Sequence, residues 1–165
     1  MRHTATYLEM TSPADLVPAD PRPDVVLTSL AGDPALARDV VVRVGDAYHW
    51  PTNRWSDDRW AAHLSDPTVH PWLIAKGDEP AGVAVHKVHS PTEVEVLTFG
   101  LLPEHVGTGI GGHALTLTLR RAWELVPGVT RVWLHTSTLD HPNALPNYRK
   151  RGLRPYRVEE RDTDT

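Results

Sequence analysis

Residues 92–112, TEVEVLTFGLLPEHVGTGIGG, set an alternating apolar run directly before a loop that holds Gly107, Gly109, Gly111 and Gly112. HALTLTLRRAWEL then continues as an amphipathic helix, so the order is strand, glycine loop, helix. That order makes an anion cradle. Glycine lets the backbone adopt positive φ and approach a ligand closely, and the helix that follows aims its unpaired N–H groups and positive dipole end into the loop. A phosphate or pyrophosphate is the natural guest.

Two nucleotide-binding signatures fit this loop less well. Gly107, Gly109 and Gly112 satisfy G-x-G-x-x-G, but the dinucleotide fingerprint needs a carboxylate at the end of the next strand. Here that strand ends in His135-Thr136-Ser137, and too few residues follow to complete a doubly wound sheet. A Walker loop is excluded because no Gly-Lys-Ser/Thr is present.

The remaining chain supports one domain. At 165 residues it is long enough for a hydrophobic core, and a net charge of −4 gives no electrostatic reason to expect a nucleic-acid partner. No apolar run approaches membrane-spanning length and no signal peptide is indicated, so a cytoplasmic location is expected, with no membrane partner. The absence of cysteine removes disulfides, thiolate metal sites and a cysteine nucleophile. The ten histidines show no H-x-H or H-x-x-x-H spacing, so no metal site is expected. An excess of arginine over lysine, with abundant proline, suggests a GC-rich bacterial genome.

Residues 1–23 carry Pro13, Pro18, Pro21 and Pro23 and read as an extended arm outside the core. A strand over 24–30, a helix capped by Asp33 and running to about Tyr48, and a short helix capped by Ser56 follow. The segments PWLIAKG, AGVAVHKV and EVEVLTFGLL then form an antiparallel meander. In the helix after the loop, Leu115, Leu119, Ala122 and Val126 make one apolar face, with Thr116, Thr118, Arg120 and Glu124 turned away. TRVWLHTST is a further strand, Asn143 to Arg151 a short helix ended by Gly152, and LRPYRVEE the last strand. Residues 161–165 are expected to fray.

The run from Leu101 to Gly111, with Pro103 and the spaced glycines, resembles motif A of the GNAT N-acetyltransferase superfamily, V-x-P-x-x-(Q/R)-x-x-G-x-G/A. Ala144 to Leu153, which contains Tyr148, Arg149-Lys150-Arg151 and Gly152, resembles the end of that family's motif B. Two correctly spaced motifs are far more specific than one. The resemblance covers about residues 24–160 and implies an α+β GNAT fold: a central mixed, mostly antiparallel twisted sheet of six to seven strands with helices on both faces. It implies acetyl-CoA as cofactor, with the pyrophosphate on the backbone of Val106, Gly107, Thr108, Gly109, Ile110 and Gly111, and Gly112 in the first helical turn. It also implies that the pantetheine arm lies along the strand bearing Phe99 and Leu101. Val106 stands where Gln or Arg is usual and Thr108 where a basic residue is common, so backbone N–H groups must carry the anion. His141 takes the place of an asparagine that bonds the cofactor arm.

Transfer to an amine needs a base, a polarised carbonyl and a proton for the leaving thiolate. The resemblance makes Tyr148 the acid and Glu95 the base, with His135 a second proton-relay or substrate-side candidate. From the residues alone, Tyr148 also reads as a packed tyrosine, Glu95 as a solvent-facing strand residue, and His135 as a bonded strand-end histidine. Trp50 and Trp55 flank a proline loop and are acceptor-pocket candidates, whereas Trp60 reads as core. The expected function is N-acetylation of a small-molecule primary amine by direct attack. The alternative is an acyl-CoA-binding sensor or scaffold without turnover. A homodimer is the only protein partner suggested.

Overall fold

The computed structural model describes residues 2–162. Its strands are β1 (Arg2–Met10), β2 (Val25–Ser29), β3 (Val69–Lys76), β4 (Glu79–Ser90), β5 (Glu93–Leu101), β6 (Arg131–Ser137) and β7 (Arg154–Asp162). The helices are α1 (Pro34–Gly45), α2 (Asp57–Ser65), α3 (Gly111–Glu124) and α4 (Ala144–Lys150). All seven strands join one sheet in the order β2-β3-β4-β5-β6-β1-β7. Among the described residues only β5 and β6 run parallel. This is the mixed, mostly antiparallel α+β architecture that the two motifs imply.

The helices divide between the two faces according to strand alternation. Val40, Val41 and Val44 of α1 and Trp60 of α2 pack on Val83 and Val85. On the opposite face, Leu115, Leu119 and Ala122 of α3 pack on Leu8, Met10, Val94, Val96, Val132 and Leu134. Asp33 and Ser56 cap α1 and α2 through Leu36 N–H and Arg59 N–H.

Three expectations need correction. Residues 2–10 are not part of a loose arm: β1 pairs with both β6 and β7, and Leu8 and Met10 are fully buried. Threonine and glutamate between the apolar positions disguise this strand, because its second face is lined with polar groups. Thr116 and Thr118 are buried rather than turned to solvent; their hydroxyls donate to Gly112 O and Ala114 O, and Thr116 Oγ1 accepts from Ala19 N–H. Residues 11–24 therefore cover α3, giving the helix a second buried face. Arg161 and Asp162 continue β7 instead of fraying, and residues 163–165 lie outside the described residues. No helix among the described residues is long and apolar enough to cross a membrane.

His86 ties β4 to β3 and α3. Trp72 Nε1–H donates to its Nδ1 (2.9 Å), which leaves Nε2–H to donate to Thr118 O (2.9 Å). Burial holds its pKa down at about 4, partly opposed by the bond to Thr118 O. Between about pH 4 and the unfolded value near 6.5, the unfolded chain binds the extra proton, so stability rises with pH across this window and is lost as pH falls. The loss is about 3 kcal/mol in total. Urea unfolding of His86→Gln should show a correspondingly flatter dependence between pH 6.5 and 4 than the parent protein.

Candidate functional site

The site begins where β5 and β6 part. Their parallel pairing is confined to Glu93–Glu95 against Arg131–Trp133. Beyond it β5 stays bonded to β4 as far as Leu101, so its other edge from Val96 onward faces an opening. Tyr148 of α4 fills the apex, 6% exposed, its ring edge-on to Phe99 at 6.3 Å.

Two clefts meet at that apex. The larger, about 540 Å³, runs from Phe99 and Leu101 along Val106, Gly107, Gly109, Gly111 and Gly112 to His141 and Asn147. The smaller, about 180 Å³, lies toward His3, His49, Thr52, His135 and Arg161. Tyr48, Trp50, Phe99, Asp140 and Tyr148 belong to both. An extended ligand in the first cleft can thus deliver its reactive end to a second molecule in the other.

The glycine loop has the conformation of an anion cradle. Gly107 (φ 77°) and Gly109 (φ 86°) occupy the left-handed region, and both line the cleft, so the backbone can approach a ligand closely there. Gly111 and Gly112 open α3, where first-turn N–H groups have no helical partner. The cradle is narrower than the full run from Val106 to Gly111. Val106 N–H and Thr108 N–H are spent inside the loop on Pro103 O (3.3 Å) and His105 O (3.4 Å), and Thr108 Oγ1 also donates to His105 O (2.6 Å). Ile110 is fully buried beside Val25, Ile74 and Ala81, so its side chain anchors the loop to the core. The free N–H groups and the open β5 edge fit a pyrophosphate followed by an amide-bearing arm.

On the acceptor side, Glu95 is 4% exposed and lines neither cleft. His89 Nε2–H donates to its Oε1 (2.8 Å), while its Oε2 lies 3.8 Å from His135 Nδ1. His135 does line the smaller cleft, stacked on Tyr7 at 5.1 Å. Burial pushes the His135 pKa below its ordinary value, and the Glu95 carboxylate opposes that shift. The imidazole is therefore neutral near pH 7. Tyr148 shifts the other way: burial, reinforced by the charge of Asp140, raises its pKa and keeps the phenol protonated.

Trp50 borders both clefts and is held by Nε1–H donation to Asp140 Oδ1 (3.1 Å). Trp55 stands apart, packed on Trp60 and His63 with the Arg59 guanidinium over its ring, so it is not a pocket residue. The indole packs against the α1–α2 core that holds Val40, Val44 and Trp60. His141 lies in the larger cleft, with Nδ1 accepting from Asn143 N–H (3.0 Å).

Asp140 was not visible as a site residue from the sequence. Its carboxylate accepts from Thr136 Oγ1 (2.6 Å), Ser137 N–H (2.9 Å) and Trp50, and it stands where the clefts join. In sequence it looks like an ordinary turn aspartate after β6; only the convergence of β6, Trp50 and α4 shows its place. His89 was missed likewise, since no sequence pattern links it to Glu95.

Comparison with known proteins agrees with this geometry. Residues 39–153 match the model of the acetyltransferase (GNAT) family, and the chain belongs to that family. No curated protein matches the chain in sequence. Among solved structures, a GCN5-related N-acetyltransferase from Kribbella flavida aligns with a TM-score of 0.67 at 22% identity, covering 94% of this chain and 55% of that one. A tandem GNAT protein from the clavulanic acid biosynthesis pathway aligns with a TM-score of 0.63 at 18% identity, covering 94% and 51%. An aminoglycoside acetyltransferase from an uncultured soil metagenomic sample, in complex with sisomicin, gives 0.61 at 14% identity, covering 76% and 86%. The chain spans about half the length of the first two. At these identities the likeness is one of fold.

Proposed function

We propose that this chain transfers an acetyl group from acetyl-CoA to a primary amine of a small molecule by direct attack. The observation that carries this reading is the meeting of a glycine-cradled cleft and a histidine-lined cleft at one buried tyrosine. Bound acetyl-CoA supplies an activated acyl carbon and a thiolate leaving group. The free N–H groups of the loop hold its pyrophosphate, and the β5 edge from Val96 to Leu101 orients the arm toward Tyr148.

The amine enters from the smaller cleft. His135 takes its proton, directly or through one water, and Glu95 positions the imidazole and stabilises the imidazolium that forms. As the new C–N bond forms and the C–S bond breaks, Tyr148 gives its phenolic proton to sulfur. The amine proton held on His135 leaves to solvent and Tyr148 is reprotonated, so the cycle closes without a covalent enzyme intermediate. Trp50 and Tyr48 present flat surfaces to the acceptor, and the modest volume of the cleft suits a small molecule. A cytoplasmic enzyme is consistent with this cofactor.

The test is mass spectrometry of a broad panel of small amines incubated with acetyl-CoA and the protein. An N-acetylated product formed in an enzyme-dependent manner is expected. Binding of acetyl-CoA with no product from any amine would favour the sensor reading instead.

A further inference from the structure

The loop lacks the basic side chains that its motif usually carries at Val106 and Thr108, yet cations approach it from elsewhere. Residues 11–24 run across the N-terminal end of α3 and the C-terminal end of α4. Val17 N–H donates to Arg151 O (2.9 Å), Ala19 N–H to Thr116 Oγ1 (3.0 Å), and Val25 N–H to Arg22 O (2.9 Å). The first two bonds fix the strap ahead of Arg22, the third is a turn within it, and Gly77 N–H, donating to Asp24 O (2.8 Å), holds the chain on the other side. The Arg22 guanidinium rests on the loop, with Nη1 3.5 Å from Thr108 O and 3.4 Å from where a Cβ on Gly109 would stand. Nε pairs loosely with Asp24 at 3.6 Å, and among the described residues Nη2 has no hydrogen-bond partner.

A second arginine reaches the same place from α4. Arg151 Nη1 stands 3.0 Å from the Cβ position of Gly112, and its Nε is buried without a partner among the described residues. Lys150 lines the cleft beside it. An unpaired buried guanidinium nitrogen is costly unless an acceptor arrives. Neither arginine lines the cleft itself, but both guanidinium groups stand against glycines that do, Arg22 beside Gly109 and Arg151 beside Gly112, within a side-chain rotation of a diphosphate, which guanidinium groups can bond in forked geometry.

We propose that Arg22, delivered by the N-terminal strap, is a cofactor-binding residue that, with Arg151, replaces the missing loop cations and clamps the pyrophosphate of acetyl-CoA. Arg22 lies outside the stretch matched by the family model. This inference rests on the acetyl-CoA reading above and adds a residue to it. The strap also covers Thr116, so cofactor binding and strap docking reinforce one another.

Calorimetric titration of the full chain tests this with three ligands: acetyl-CoA, its 3′-dephospho analogue, and S-acetylpantetheine, the last measured by competition. Arg22→Ala should weaken acetyl-CoA and the dephospho analogue by about tenfold each and leave S-acetylpantetheine unchanged, with an unaltered melting temperature. Arg22→Lys should recover part of the loss. Equal affinities of parent and Arg22→Ala for acetyl-CoA would overturn the inference while sparing the acetyltransferase reading. Loss confined to acetyl-CoA would also overturn it, by assigning Arg22 to the 3′-phosphate. Failure of the parent protein to bind acetyl-CoA would remove both.

Discussion

Tyr148→Phe should lower kcat by about 10²- to 10³-fold while leaving acetyl-CoA affinity intact. The phenol is buried, and the raised pKa that burial and Asp140 impose keeps it protonated throughout the neutral range. Phenylalanine preserves the edge-on contact with Phe99 and the place of the ring in the core that holds Leu8, Leu115 and Leu134, so only the transferable proton is lost. Expulsion of the thiolate then depends on a proton from solvent. Steady-state kinetics beside a binding titration separate the two effects: equal kcat in parent and variant would remove Tyr148 from the chemistry. Because its pKa lies above the ordinary value near 10, Tyr148 should produce no alkaline limb in the rate profile below that pH.

Glu95→Gln should cost about 10²-fold in kcat/KM and move the acid limb of the rate profile to lower pH. The two parts have one cause. In the parent protein, burial lowers the His135 pKa and Glu95 partly restores it, so the rate falls only as pH drops below the ordinary histidine value and the base becomes protonated. Removing the carboxylate lowers that pKa further, shifting the limb, and withdraws the charge that stabilises imidazolium during proton transfer. His135→Gln should abolish the limb altogether. A profile that keeps its acid limb in His135→Gln would show that another group takes the amine proton, and Glu95 acting through His89 would be the first to examine.

Most of the fold was legible because its signals are local. Asp33 and Ser56 cap the helices that their side chains announce, and the meander from β3 to β5 follows alternation broken by short turns. What escaped depends on long-range contact. β1 looks too polar to be interior, and its place between β6 and β7 is set by partners more than 120 residues away in sequence. Thr116 and Thr118 read as an exposed helical stripe until the strap and His86 are seen to cover them.

The site divides along the same line. Gly107, Gly109 and Tyr148 carry motif spacing, and the structure brings them to one cleft. Glu95 reads as the base from the resemblance or as a solvent-facing strand residue from alternation alone; that it is buried, lines neither cleft and lies 3.8 Å from His135 appears only once β6 is laid beside β5. Trp50 and Trp55 flank the same proline loop and read alike in sequence, but the turn at Pro51–Arg54 sends the two rings to different surroundings. Asp140 and Arg22 belong to segments with no motif, and their positions come wholly from tertiary packing.

Calorimetric titration with acetyl-CoA, beside separate titrations with NAD and ATP, tests the central claim most directly. The geometry of the cradle and the β5 edge predicts saturable one-to-one binding of acetyl-CoA, weakened by Gly109→Ala because alanine cannot hold φ near 86° without strain, and no comparable heat from NAD or ATP. Absence of acetyl-CoA binding, or a clear preference for NAD, would contradict it.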